Sequence, residues 1–318
     1  MKKSRAIVFG AIALSLTLTL SACGGQTNDP NADGLSGAVV IDGSSTVAPL
    51  TEAAADLYRD VQPSVNVTVA TSGTGGGFEK FCAGETDISN ASRPIKDEEA
   101  AICAENGIEF TELVVANDGL AVVVPKTNEF AVCLTVEQLN KIWGPEAEGK
   151  VTSWNQVDSS FPDVELALFG PGTDSGTFDY FTKEINGEEG AIRTDYSPSE
   201  DDNVLVQGIS GSEGGLGFFG LSYVNENADL VRAVDVDGGA GCVSASEATV
   251  QDGSYTPLGR PLYVYVSNKA FVEKPQVKSF VEFYIEKQQE VADLAIFIAL
   301  TEEQVGVAEA ALAKLETK

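Results

Sequence analysis

The chain contains no histidine, a single methionine, and only 20 lysine and arginine side chains against 48 acidic ones. Each shortage excludes something. Without histidine there is no Ser-His-Asp triad, no imidazole base and no imidazole metal ligand. A hydrolytic mechanism would have to rest on carboxylates or lysine. The formal charge of -28 runs against nucleic-acid binding, which needs a basic stripe to displace condensed counterions. The same field repels anions, so an anionic ligand must be held by local donors. There is no C-x-x-C pair, so a zinc site is not expected, and no cofactor is expected either.

What is present describes a folded protein. Hydrophobic residues make up 43% of the 318 positions and aromatics 8%, enough to bury a core. The length suits two domains or one large one. The N-terminus reads as an export signal. Lys2, Lys3 and Arg5 precede an apolar run over residues 6–20, too short for a comfortable membrane span. Leu20-Ser21-Ala22-Cys23 follows. This spacing fits a bacterial lipobox: residues 1–22 form the signal peptide, and Cys23 carries the lipid. An ordinary signal peptide with a chance cysteine is the plainer alternative. Residues 23–35 read as a flexible tether, which places the folded part outside the cytoplasm on a lipid anchor. Four cysteines remain, and in an oxidising compartment they imply two disulfides with three connectivities open. Cys82–Cys103 is favoured because its members are neighbours in one segment, and Cys133–Cys242 because it would staple two parts of one domain.

Short β-branched runs alternate with helical spacing along the rest of the chain. Strands are expected at 38–41, 65–69, 86–89, 165–169, 216–219 and 262–266. Helices are expected at 46–61, 77–83, 97–106, 135–143, 177–185, 202–210, 274–290 and 302–316, the last opened by a Thr301/Gln304 capping box. The run 113–124 is apolar but broken by Asn117-Asp118-Gly119. The alternation predicts an α/β fold with a sheet covered on both faces. The stretches at 113–124 and 262–266 are candidate crossings between two lobes. Lobe I would then be discontinuous (36–118 and 263–318), and lobe II would be 119–262.

Three segments share one design, a strand running through a Gly/Ser/Thr loop into a helix. They are Asp42-Gly43-Ser44-Ser45-Thr46, Thr71-Ser72-Gly73-Thr74-Gly75-Gly76-Gly77-Phe78, and Gly172-Thr173-Asp174-Ser175-Gly176-Thr177-Phe178. A helix start presents unpaired N–H groups and a partial positive charge, and so attracts an oxyanion. Simple helix capping is the alternative for any one loop, and three such loops in one chain favour a shared ligand. None is a P-loop, and Ser175 is not in a G-x-S-x-G elbow. Arg93, just after a strand and before Pro94, is held extended. It is either a surface arginine or a bidentate oxyanion donor.

With Asp87-Ile88-Ser89-Asn90-Ala91-Ser92-Arg93-Pro94-Ile95 and Ser199-Glu200-Asp201-Asp202-Asn203-Val204-Leu205-Val206-Gln207-Gly208, these motifs resemble the phosphate-binding protein of the Pst phosphate ABC transporter. They do so in family order over nearly all of residues 36–266. The resemblance implies a two-lobe type II periplasmic-binding-protein fold with a ligand cleft between the lobes. It also implies a monomer that binds inorganic phosphate, has no catalytic activity, and delivers the ligand to a membrane permease. Carried over, the phosphate donors are Ser45, Thr46 and Val47, then Ser72, then Ser175, Gly176 and Thr177. The sequence departs from the family at one point: Pro171 stands where much-studied members place an arginine. This assigns the positive charge to Arg93. Their proton-accepting aspartate, the basis for rejecting sulfate, would be replaced by Asp174 or, less directly, Asp42. The competing readings are a receptor for sulfate or another tetrahedral oxyanion, a secreted phosphatase using Ser175 or Asp174, and a surface adhesin.

Overall fold

The computed structural model describes residues 34–173 and 175–316, with the backbone alone given at Glu316. The expected signal peptide over 1–22, the candidate lipid site Cys23 and Asp174 lie outside the described residues. The first part of the chain runs β1 (Gly37–Gly43), α1 (Ala48–Val61), β2 (Val65–Thr71), α2 (Gly73–Cys82), β3 (Ile88–Ala91), α3 (Asp97–Glu105) and β4 (Phe110–Pro125). The middle runs β5 (Cys133–Thr135), α4 (Val136–Trp143), α5 (Trp154–Val157), β6 (Ala167–Gly170), α6 (Gly176–Asn186), β7 (Ser197–Pro198), α7 (Asp202–Ser210), β8 (Gly215–Gly220), α8 (Leu221–Glu226), β9 (Val231–Asp237), β10 (Cys242–Val243) and α9 (Glu247–Gln251). The last part is β11 (Gly259–Ser267), α10 (Asn268–Glu273), α11 (Pro275–Glu286), α12 (Gln288–Ala295) and α13 (Glu302–Glu316).

The strands join in the order β2-β1-β3-β11-β4-β8-β6-β7, with β9 added beside β4. β1 pairs in parallel with β2 and β3, as strand–helix–strand crossovers require. β4 serves both ends of the sheet. Its first part pairs antiparallel with β11, and from Leu120 on it pairs with β8 and β9. The change of partner falls immediately after Asn117-Asp118-Gly119, the interruption visible in the sequence. The strand changes partner there without ending. Asn117, fully buried, has its side chain tied to Ala299 and Gln304, which satisfies a polar group that burial would otherwise penalise.

The apolar cores follow the same division. One cluster is drawn from residues 120–258 together with Ile298, around Trp143, Phe181 and Phe218. Two others are drawn from residues 39–116 and 262–315. The disulfides are Cys82–Cys103, bracing α2 against α3, and Cys133–Cys242, closing β5 to β10. Thr301 and Gln304 exchange the reciprocal bonds of a capping box at the start of α13. Among the described residues, no helix is long and apolar enough to cross a membrane.

Several elements differ from the sequence reading. Helix α1 starts at Ala48, not residue 46, leaving Ser45 and Thr46 in the loop. α2 starts at Gly73 and takes the glycine run into the helix. The expected helix 274–290 is two, α11 and α12, parted at Lys287. Buried positions 277, 280, 281, 284, 285, 291 and 292 keep helical rhythm through the break, so periodicity carries no sign of it.

Candidate functional site

The three Gly/Ser/Thr loops lie at the carboxyl ends of β1, β2 and β6, where ligands bind in α/β sheets. At the first, α1 has Pro49 in its opening turn and no side-chain cap. Ser44 donates its N–H to the Asn90 carbonyl at 2.9 Å. At the second, α2 also has no side-chain cap, and the Ser72 hydroxyl donates to Asp42 Oδ1 at 2.8 Å. At the third, Ser175 does cap its helix, accepting from the Thr177 N–H at 3.2 Å. The capping explanation therefore applies to α6, whereas no side chain caps α1 or α2. At α1 the Ala48 N–H donates to the Ser44 carbonyl at 3.1 Å and Pro49 has no N–H, so the donors left to a ligand there belong to the Ser45-Thr46 loop before the helix.

A cleft of about 730 Å³ is walled by the first loop (Ser44, Ser45, Thr46), the second (Gly73, Thr74, Gly75), the Ser92-Arg93-Pro94 segment and the start of α6. Thr256, Pro257 and residues 259–261 at the head of β11 close it. The first and third loops meet at Gly176, where a Cβ would fall against the Thr46 hydroxyl, with Thr46 Cβ at 3.3 Å. Glycine is needed for this close approach. Thr74 and Ser92 share a hydroxyl contact of 3.1 Å, which ties the second loop to the arginine segment.

Of the residues singled out in the sequence, Ser45, Thr46, Arg93 and Gly176 stand on the cleft wall. Val47 is fully buried and is not on the cleft wall. The Ser72 side chain turns away to Asp42, and Ser175 and Thr177 bond to each other. Asp42 is buried and accepts from Ser72, from the Gly43 N–H at 2.7 Å and from Lys80. Burial alone would raise its carboxyl, but these donors outweigh burial and hold it below the ordinary value. It stays charged and engaged with these partners.

Arg93 is clamped. Its two terminal nitrogens donate to the carboxylate oxygens of Glu99 at 2.8 and 2.7 Å, and its guanidinium lies 5.7 Å from the Phe78 ring. The Glu99 bonds push the arginine further toward its charged form. For Glu99 itself burial works upward, but the Arg93 and Lys96 donors prevail and its carboxyl is lowered. The cleft wall carries four cations, Arg93, Lys96, Lys183 and Arg260, against Asp179, Glu184 and Glu189. In so acidic a chain that is a local reversal of sign. Burial and Glu189 raise the Asp179 carboxyl, while Arg260 opposes them.

Arg260 and Asp179 were not singled out in the sequence. A signal for Arg260 was present: Arg260-Pro261 repeats the Arg93-Pro94 dipeptide. Among the described residues, no three acidic, cysteine or histidine side chains gather as metal ligands would.

A strand–loop–helix site repeated around one cleft, in a two-part α/β fold, defines a substrate-binding protein of the type II periplasmic class. The comparisons agree. A model described as a PBP superfamily domain matches residues 25–288. The chain is 48% identical over 263 residues to Protein SphX of Synechococcus elongatus, covering 82% of this chain and 77% of that one. It is 39% identical to the phosphate-binding protein PstS of Staphylococcus saprophyticus, covering 92% and 89%. A crystal structure of a possible phosphate binding protein from Planctomyces limnophilus superposes with a TM-score of 0.84 at 43% identity, covering 89% and 99%. The chain belongs to the PstS family of phosphate-binding proteins within the PBP superfamily.

Proposed function

We propose that this protein captures inorganic phosphate in the cleft and hands it to the permease of an ABC transporter, acting as a monomer tethered through lipid on Cys23 outside the cytoplasm. The observation that carries the reading is the Ser45-Thr46 loop before α1 and the uncapped start of α2, opening together on a cleft whose wall is locally cationic. Uncapped N–H groups and a fixed guanidinium are the donors an oxyanion needs once water is removed.

In this reading the lobes are 36–118 with 263–318, and 119–262. Ser45, Thr46 and the Val47 N–H hold one side of the phosphate, and Arg93 supplies charge. Gly176, with Ser175 and Thr177 behind it, closes the other side. Ser72 acts indirectly, by holding the second loop against Asp42. Asp174, placed by sequence in the third loop, takes the phosphate proton, because Asp42 is committed to Lys80 and Ser72.

Calorimetric titration of the purified chain with phosphate, then sulfate, tests this. The expectation is saturable phosphate binding at micromolar levels, with sulfate about 100-fold weaker or worse, as an unpaired acceptor carboxylate dictates. No phosphate heat would end the reading. Equal sulfate binding would keep the receptor and reassign its ligand.

A further inference from the structure

Arg260 stands where the two halves of the molecule share their strands. It lies near the start of β11 and is the direct antiparallel partner of Asp118 on β4. Its Nε and Nη2 both donate to Asp118 Oδ2, at 3.2 and 3.1 Å. Its Nη1 donates to the Ser92 carbonyl at 3.3 Å, next to Arg93. Its guanidinium carbon sits 3.5 Å from the centroid of the Tyr180 ring. Tyr180 belongs to α6 and is itself tied through its hydroxyl to the Pro257 carbonyl. Three separate segments therefore fix one guanidinium, and the side chain is only 14% exposed.

An ordinary structural ion pair does not need this arrangement. Both bonds to Asp118 go to a single carboxylate oxygen, and they use the side edge of the guanidinium. A guanidinium carries five N–H bonds. Three of them have acceptors among the described residues, which leaves one on each terminal nitrogen. Those two are the donors that remain for the oxygens of an oxyanion. The stacked ring prevents the plane from turning. Arg260 also lines the cleft, together with Ser92, Arg93, Thr46 and Gly176.

We propose that Arg260 is a second guanidinium of the ligand site, offering its two remaining N–H donors to the bound phosphate from the junction of β4 and β11, with Asp118 and Tyr180 as the residues that position it. The proposal rests on the reading that phosphate binds in this cleft. It divides the work between two arginines. Arg93 faces the ligand from the loop after β3, and Arg260 faces it from the crossing strands. Because Arg260 is stacked on α6 and bonded to Asp118 and Ser92, it engages both halves at once.

The test is phosphate calorimetry on the full chain in detergent micelles, for the unaltered protein, Arg260→Gln and Arg260→Lys, with ligand-free thermal unfolding of each. Losing two charge-assisted bonds is expected to weaken phosphate about 100-fold in Arg260→Gln. Arg260→Lys, which keeps charge without the guanidinium donors, should recover only part of that. A second readout does not depend on how the variants fold. In the unaltered protein labelled with ¹⁵N-arginine, phosphate should shift the guanidinium resonance that Arg260→Lys removes. Phosphate binding that is as tight in Arg260→Gln as in the unaltered protein, or an Arg260 resonance unmoved at saturation, overturns the assignment while leaving the phosphate reading intact. An unaltered protein that binds no phosphate overturns both.

Discussion

Replacing Gly176 with alanine puts a methyl group where the first and third loops meet. The new Cβ falls against the Thr46 hydroxyl and lies 3.3 Å from Thr46 Cβ and 3.4 Å from its Cα. A turn of the Thr46 side chain moves the hydroxyl aside, but the other two atoms stay unless the loops separate. Overpacking of a close contact costs about 1–3 kcal/mol, and one partly relieved contact belongs at about 1–2 kcal/mol. That corresponds to about a 5- to 30-fold loss of affinity. On the proposed reading, in which the two halves close on the ligand, the cost should fall on binding and not on ligand-free stability. Calorimetry with phosphate measures the first, and thermal unfolding without phosphate the second. Unchanged affinity would show that Thr46 and Gly176 do not meet in the liganded state. A fall in ligand-free Tm with affinity intact would make the contact merely architectural. Either result refutes the reasoning.

Further outcomes follow from other parts of the structure. Arg93→Ala should weaken phosphate about 10- to 100-fold, since a charge-assisted donor is lost; Glu99→Gln should cost less, because the guanidinium stays but loses its clamp, and calorimetry ranks the two. Burial, aided by Asp201 and Glu200, pushes the Asp202 carboxyl up to about 6. A raised carboxyl favours folding while protonated and lowers stability as pH rises through that value. Asp202→Asn should therefore stabilise at pH 8 by about 1–2 kcal/mol, allowing for partial exposure, and the gain should fade by pH 4, as read by Tm at each pH. Opening Cys133–Cys242, which spans 109 residues, should cost about 4–5 kcal/mol. Opening Cys82–Cys103, which spans 21, should cost about 3 kcal/mol, and denaturant unfolding of the two double serine variants gives the order.

Much of the fold was legible because period and punctuation mark it locally. The alternation of strand and helix and the Gly/Ser/Thr loops all lie within a few residues of sequence. What was hidden depends on distant partners. The helix break at Lys287 leaves no trace in the hydrophobic rhythm. β4 reads as interrupted at Asn117-Asp118-Gly119, yet pairing with β11 on one side and β8 on the other carries it through as a single strand. Within the site, Ser45, Thr46, Arg93 and Gly176 were recognisable from their loops. The Glu99 clamp on Arg93 needs α3 to fold back, and the Arg260–Asp118 pair joins residues 142 positions apart. Ser72 lies in the right loop, but its hydroxyl is claimed by Asp42, a preference that only the packed structure reveals.

The position of the bound ligand decides whether this cleft is the phosphate site. A crystal structure of the protein grown with phosphate should show one tetrahedral ion in the cleft. It should be held by the N–H groups and side chains of the Ser45-Thr46 loop leading into α1, and by Arg93, with the start of α6 against its far side. An ion bound elsewhere, with the Ser45-Thr46 loop left empty at saturating phosphate, would contradict the claim that this loop and cleft form the binding site.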